Sequence, residues 1–140
     1  VASKPARQRA RGALGFTLIE LAVVVAIVAI LATIAYPTYS NYLVKGRRSA
    51  AQAALLDIAQ RQQQYLLDAR NYASSLTALN VTPASDVSAY YNITIAASAA
   101  AAGTPPSFIA TATPIAGKPQ AADVTLSINN AGVKTPVNTW

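Results

Sequence analysis

Gly15-Phe16-Thr17-Leu18-Ile19-Glu20-Leu21 opens a run, Ala22-Val23-Val24-Val25-Ala26-Ile27-Val28-Ala29-Ile30-Leu31-Ala32-Thr33-Ile34-Ala35-Tyr36, whose reading decides the fold. Residues 16–36 make 21 positions with a single charge, Glu20, and beyond it only Thr33 and the Tyr36 hydroxyl are polar. About 20 apolar residues, each rising about 1.5 Å, span the hydrocarbon core of a bilayer. The Val and Ile content would also suit a strand. A lone strand leaves its backbone unpaired in lipid, however, so the segment is expected to be helical.

Upstream, residues 1–15 carry Lys4, Arg7, Arg9 and Arg11 and no acid. Positive charge beside an apolar run stays on the cytoplasmic side, so 1–15 reads as a targeting leader. An ordinary secretory signal fits less well, because the apolar run is too long and no small-x-small cleavage site follows it. Downstream, Pro37 should end or kink the helix by removing a donor. A helical stripe then resumes at Ala51, Ala54, Leu55, Ile58, Tyr65 and Leu66, with Gln52, Asp57, Gln60, Arg61, Gln63 and Gln64 between its members. The expectation is one helix from about residue 16 to the mid-60s, apolar all round at first and amphipathic later.

Periodicity is lost over 68–88, which reads as a loop holding one short turn. Three stretches then alternate with period two: Tyr91, Ile93 and Ile95; Phe108, Ala110 and Ala112; Val124, Leu126 and Ile128. Asn129-Asn130-Ala131-Gly132 supplies a turn, after which 133–135 can return as a fourth strand. Sequential strands with short connections favour an antiparallel sheet, and its apolar face has the amphipathic stripe as its partner. The fold class is therefore α+β, a long N-terminal helix packed on a small antiparallel sheet of three to four strands.

Composition narrows the chemistry. Neither Cys nor His occurs, which removes thiol catalysis, imidazole acid–base work and the common zinc sites. Asp57, Asp68, Asp86 and Asp123 are scattered and no Gly-rich phosphate loop is present, so no catalytic residue, metal or cofactor is expected. Lys and Arg number 11 against 5 acids, a net charge of +6, but without the four basic residues of 1–15 the balance is 7 against 5, or +2. Past residue 48 only Arg61, Arg70, Lys118 and Lys134 remain, a thin electrostatic footprint for nucleic acid.

Gly15 followed by Phe16-Thr17-Leu18-Ile19-Glu20-Leu21 resembles the type IV prepilin signature. Tyr36-Pro37 through Arg47-Arg48 and Ala51-Gln52-Ala53-Ala54-Leu55 looks like the PilE-type pilins, often minor subunits of the fibre. The resemblance implies a structural subunit and not an enzyme, with 1–15 a leader that is removed, 16–36 a membrane and filament-core helix, and 37–140 the continuing helix and a periplasmic or surface domain. It implies that a membrane prepilin peptidase cuts between Gly15 and Phe16 and that Phe16 becomes N-methylated. Glu20 would pair with the Phe16 amine of a neighbouring subunit, and Pro37 would mark where the helix bends or unwinds during assembly.

Implied partners are other pilin subunits, the peptidase, the inner-membrane assembly machinery and the membrane itself. DNA is a further candidate that the charge distribution supports only weakly. The implied location is the bacterial inner membrane, single-pass with the N-terminus cytoplasmic, and then a surface pilus serving twitching motility, adhesion or DNA uptake. Two alternatives share the helix: a type II secretion pseudopilin, whose major type carries acidic calcium-binding residues that this chain lacks, and a DNA-binding competence pilin. The chain departs from the family at its C-terminal end, where Thr139 and Asp123-Val124 stand in place of a disulfide-forming pair, leaving Trp140 to compensate.

Overall fold

A computed structural model describes residues 15–140; most of the leader expected over 1–15 lies outside the described residues. The element order is α1 (Leu18–Ala69), α2 (Ser85–Ser88), β1 (Tyr91–Ser98), β2 (Ser107–Pro114), β3 (Leu126–Asn129) and β4 (Lys134–Thr135), closed by a 3-10 turn over Val137–Thr139. The chain divides into two units, one ending at Thr38 and the other covering Tyr39–Trp140.

In the first unit, helix formation begins with a local signal that hydropathy alone does not display. Thr17 Oγ1 accepts the backbone N–H of Glu20 at 3.2 Å, and its carbonyl accepts from Leu21 at 3.1 Å. Thr17 is thus an N-cap, and Glu20 lies three residues on, where a carboxylate also favours the positive end of the helix dipole. Every residue from 15 to 38 is exposed. The helix is long and apolar enough to cross a membrane. It runs through Pro37, with Thr33 Oγ1 donating to the Ile30 carbonyl and Thr38 Oγ1 to that of Ile34. Pro37 has no N–H to offer the Thr33 carbonyl, so α1 continues here with one i→i−4 hydrogen bond fewer.

The second unit builds its own core. The remainder of α1 buries Ala51, Leu55, Ile58 and Gln62, spaced by four, three and four residues along one face. Facing them is a four-stranded antiparallel sheet in the order β1-β2-β3-β4. Its register aligns Ile93 with Ala112 and Ile95 with Ala110, then Ala112 with Leu126 and Ala110 with Ile128. Tyr91, Phe108, Leu126 and Ile128 join the helix stripe in a single cluster, with Tyr72 meeting the Phe108 ring edge-on at 4.8 Å between centroids.

Two details differ from the sequence expectation. Ala54 is half-buried beside the stripe, which instead continues through a polar residue, Gln62. Val124 is exposed and lies before β3. Continuing the β2–β3 register would set it against Pro114, which has no N–H to contribute, and so the ladder stops at Leu126. The expected fourth strand is present. Asn129 Oδ1 accepts from Ala131 and Val133, and Gly132 takes φ +75°, so the tight turn before β4 is closed by the residue types that tolerate it.

Candidate assembly segment and the clasp of the surface domain

The proposed processing residues sit at the start of the described chain. Gly15, Phe16 and Thr17 precede α1, and Phe16 is 85% exposed. A Cβ built on Gly15 would meet nothing within 4 Å, so packing does not demand a glycine there. Glu20, one turn into the helix, is exposed and has no ion-pair partner among the described residues. Pro37 lies 17 residues further along α1, about 25 Å by helical rise, so Phe16 and Glu20 share one end and Pro37 marks a separate point.

The chain's exposed large apolar side chains concentrate between Phe16 and Ile34. Such a surface is far beyond the patches that a soluble monomer leaves bare, and it marks a segment whose partners are lipid or other helices. A helix apolar all round cannot choose an axial register by itself. A carboxylate left unpaired among apolar helices is costly.

The second unit holds a polar cluster that sequence patterns did not reveal. The Asp123 side chain is fully buried and takes hydrogen bonds from Arg48 Nε at 3.1 Å and Gln120 Nε2 at 2.6 Å, with close contacts from Arg48 Nη2 and the Tyr91 hydroxyl. Burial opposes the charged carboxylate, but the Arg48, Tyr91 and Gln120 donors and the Val124 N–H overcome it and hold the pKa down at about 2. Burial and the adjacent carboxylate push the Tyr91 hydroxyl above its ordinary range, while the bond to Asp123 raises Arg48. Gln120 Nε2 also lies 3.0 Å from the Val44 carbonyl and 2.8 Å from the Tyr91 hydroxyl, whereas its Oε1 is buried without a donor among the described residues.

One turn along α1 from Arg48, Gln52 Nε2 donates to the Thr139 carbonyl at 2.8 Å. The two segments that the family resemblance would join by a disulfide, at Asp123 and Thr139, are therefore each fastened to the same helix by side chains four residues apart. Trp140 contributes too, packing on the core, donating Nε1–H to the Thr135 carbonyl at 3.1 Å and holding Lys134 Nζ 5.1 Å from its ring centre. A further fastening follows α1, where buried Gln62 exchanges two 2.8 Å hydrogen bonds with the backbone of Ala73.

None of these groups forms a catalytic constellation. Asp123 is consumed by its donors, and no cluster of potential metal ligands occurs among the described residues. Of the sequence-derived site residues, Gly15, Phe16 and Glu20 fall in one exposed stretch, while Arg48, Asp123, Tyr91 and Gln120 form a second assembly that only the tertiary fold brings together.

Comparison with known proteins agrees with both halves of this description. The family described as "Type IV minor pilin ComP, DNA uptake sequence receptor" matches residues 37–124, and the prokaryotic N-terminal methylation motif matches residues 10–36. A type IV pilin from Shewanella oneidensis has a similar solved structure, with 27% identity, a TM-score of 0.53, and coverage of 69% of this chain and 97% of that one. No curated protein matches.

Proposed function

Because this chain belongs to the ComP family of type IV minor pilins, we propose that it is a low-abundance pilus subunit whose surface domain receives DNA during uptake. The observation that carries this reading is the match over residues 37–124, which takes in the amphipathic part of α1 and strands β1 and β2. Charge distribution alone gave DNA only weak support, and the family match moves it to the front. The secretion-pseudopilin alternative gains no support from these comparisons.

In this proposal the peptidase cuts between Gly15 and Phe16, and the new amine is methylated. The mature chain waits in the inner membrane on its apolar segment, with the basic leader on the cytoplasmic side before cleavage. The assembly machinery then replaces lipid around residues 16–36 by the helices of other subunits. Glu20 meets the Phe16 amine of a neighbour and sets the register, and Pro37 is where the helix yields. The role is structural and recognitive, with no bond made or broken by the chain itself.

Sheared surface filaments provide the test. Intact-mass measurement should find a chain beginning at methylated Phe16, and cells lacking the subunit should take up labelled duplex DNA poorly while still making filaments. A mature filament chain that retains residue 15, or normal uptake without the subunit, would overturn the corresponding half of the proposal.

A further inference from the structure

The amide side chains of the second unit fall into two sets. Gln52, Gln62 and Gln120 are spent on backbone or cluster partners, and Asn71 Oδ1 accepts from the Ala100 N–H. The remaining amides, Asn41, Gln60, Gln63, Gln64, Asn80, Asn92, Asn130 and Asn138, make no side-chain hydrogen bond among the described residues, and Gln60, Gln63 and Asn130 of these line one groove of about 360 Å³. Gln60 and Gln63 are exposed on α1, and Asn130 is exposed at the tip of the β3–β4 hairpin. Asn129 lies between them, its Oδ1 engaged by the turn and its Nδ2 donors unused among the described residues. The groove walls carry no charged side chain.

A planar amide sets a donor beside an acceptor, the pair that meets adenine N6 and N7 in the major groove. Cationic side chains read phosphate and convey no sequence. Of this domain's seven cations, Arg48 is held by Asp123, Arg61 Nε by Asp57 at 2.9 Å, Arg47 lies over Tyr90 and Lys134 over Trp140, leaving Lys45, Arg70 and Lys118 without a partner among the described residues. Whatever these cations contribute, sequence discrimination is drawn from base edges and duplex shape.

We propose that Gln60, Gln63, Asn129 and Asn130 form a base-reading surface for adenine-containing duplex DNA. The assignment rests on the DNA-receptor reading above and gives that receptor its specificity-determining residues.

The full chain in detergent micelles can be offered a pool of random-sequence DNA duplexes, with repeated selection and sequencing. The wild type should enrich a motif containing adenine. Gln60→Ala with Gln63→Ala should reduce that enrichment roughly five- to a hundredfold, as should Asn130→Ala, with the residual salt dependence and the thermal unfolding midpoint unchanged. Gln63→Glu keeps the shape but offers only acceptors, and should move preference towards cytosine at one position. Should the variants enrich the same motif as the wild type, the groove is not the reader, although the receptor reading survives. A wild type that enriches nothing overturns both. Unchanged selection combined with poor filament incorporation would assign the groove to subunit contacts and likewise overturn the proposal.

Discussion

Residues 18–38 and residues 39–140 both carry apolar side chains on α1 but satisfy them in opposite ways. In the first, Ile27, Val28, Ile30 and Leu31 are all exposed, and no side chain from elsewhere in the described chain covers them. In the second, Leu55 and Ile58 are fully buried against a sheet supplied by the same polypeptide. The difference lies in where the partner comes from. One region completes its fold internally; the other is complete only in lipid or in a filament. Mutations should therefore separate cleanly into those that damage folding and those that damage assembly.

The largest effect on folding is expected at the clasp. Arg48→Ala leaves the Asp123 carboxylate buried without its cation, and breaking a buried pair in this way costs on the order of 3–5 kcal/mol. Urea unfolding of the full chain in detergent, followed by Trp140 fluorescence, should show a midpoint shifted well down. A change within error would mean that the clasp is incidental and that the second region is held by its apolar core alone.

A matched pair of truncations tests the comparison itself. Leu55→Ala should cost about 2–5 kcal/mol, because it opens a cavity in a packed core. Ile27→Ala removes a similar side chain from a surface with no internal partner, so the same unfolding curve should barely move. Equal destabilisation by both would erase the distinction between the regions.

Acid provides a smaller and reversible perturbation. The Asp123 pKa is about 2 in the folded chain, against roughly 4 for an unperturbed carboxyl. The unfolded state therefore binds the proton first as pH falls. The stabilisation is fully present above about pH 4 and is lost progressively as pH falls through about 2. Its size is on the order of 2 kcal/mol. Stability measured in pH steps should decline over that window in the wild type and decline less in Arg48→Ala, whose carboxyl has lost a principal donor.

What could be read before folding follows the same division. The membrane-length helix is carried by local hydropathy, and the strands by alternation at Tyr91, Ile93, Phe108, Ala110, Leu126 and Ile128, so both were legible from residue order alone. Gln62 was not, because a polar residue on an apolar stripe declares itself only once Ala73 folds back to meet it. Asp123 looked like one of several scattered acids until Arg48, 75 positions away, closed on it. Val124 belonged to an alternating pattern, but the strand was cut short by a proline on its neighbour, a fact of register and not of propensity. Thr17 as an N-cap was present in the letters, three residues before Glu20, and was overshadowed by the processing motif that surrounds it. The missing disulfide was visible as absent cysteines, whereas the two side chains that fasten those segments instead had no pattern to betray them.

Glu20 is where the two kinds of effect should diverge most. Its carboxylate is exposed in the first turn of α1, where a negative charge is worth about 0.3–1 kcal/mol through the helix dipole and Thr17 already satisfies its N–H. Glu20→Ala should therefore leave the unfolding curve of the second region unmoved, and membrane insertion intact or improved, since a costly charge has been removed. Incorporation into sheared filaments should nonetheless fall, because the neighbour's Phe16 amine would lose the proposed partner that fixes register. Glu20→Asp and Glu20→Gln divide the cause: the shorter acid keeps charge at reduced reach, while the amide keeps reach without charge. If register depends on the ion pair, incorporation should follow charge and Asp should outperform Gln. If Glu20 serves only to start the helix, all three variants should enter filaments as the wild type does, and the apolar segment would need another source of register.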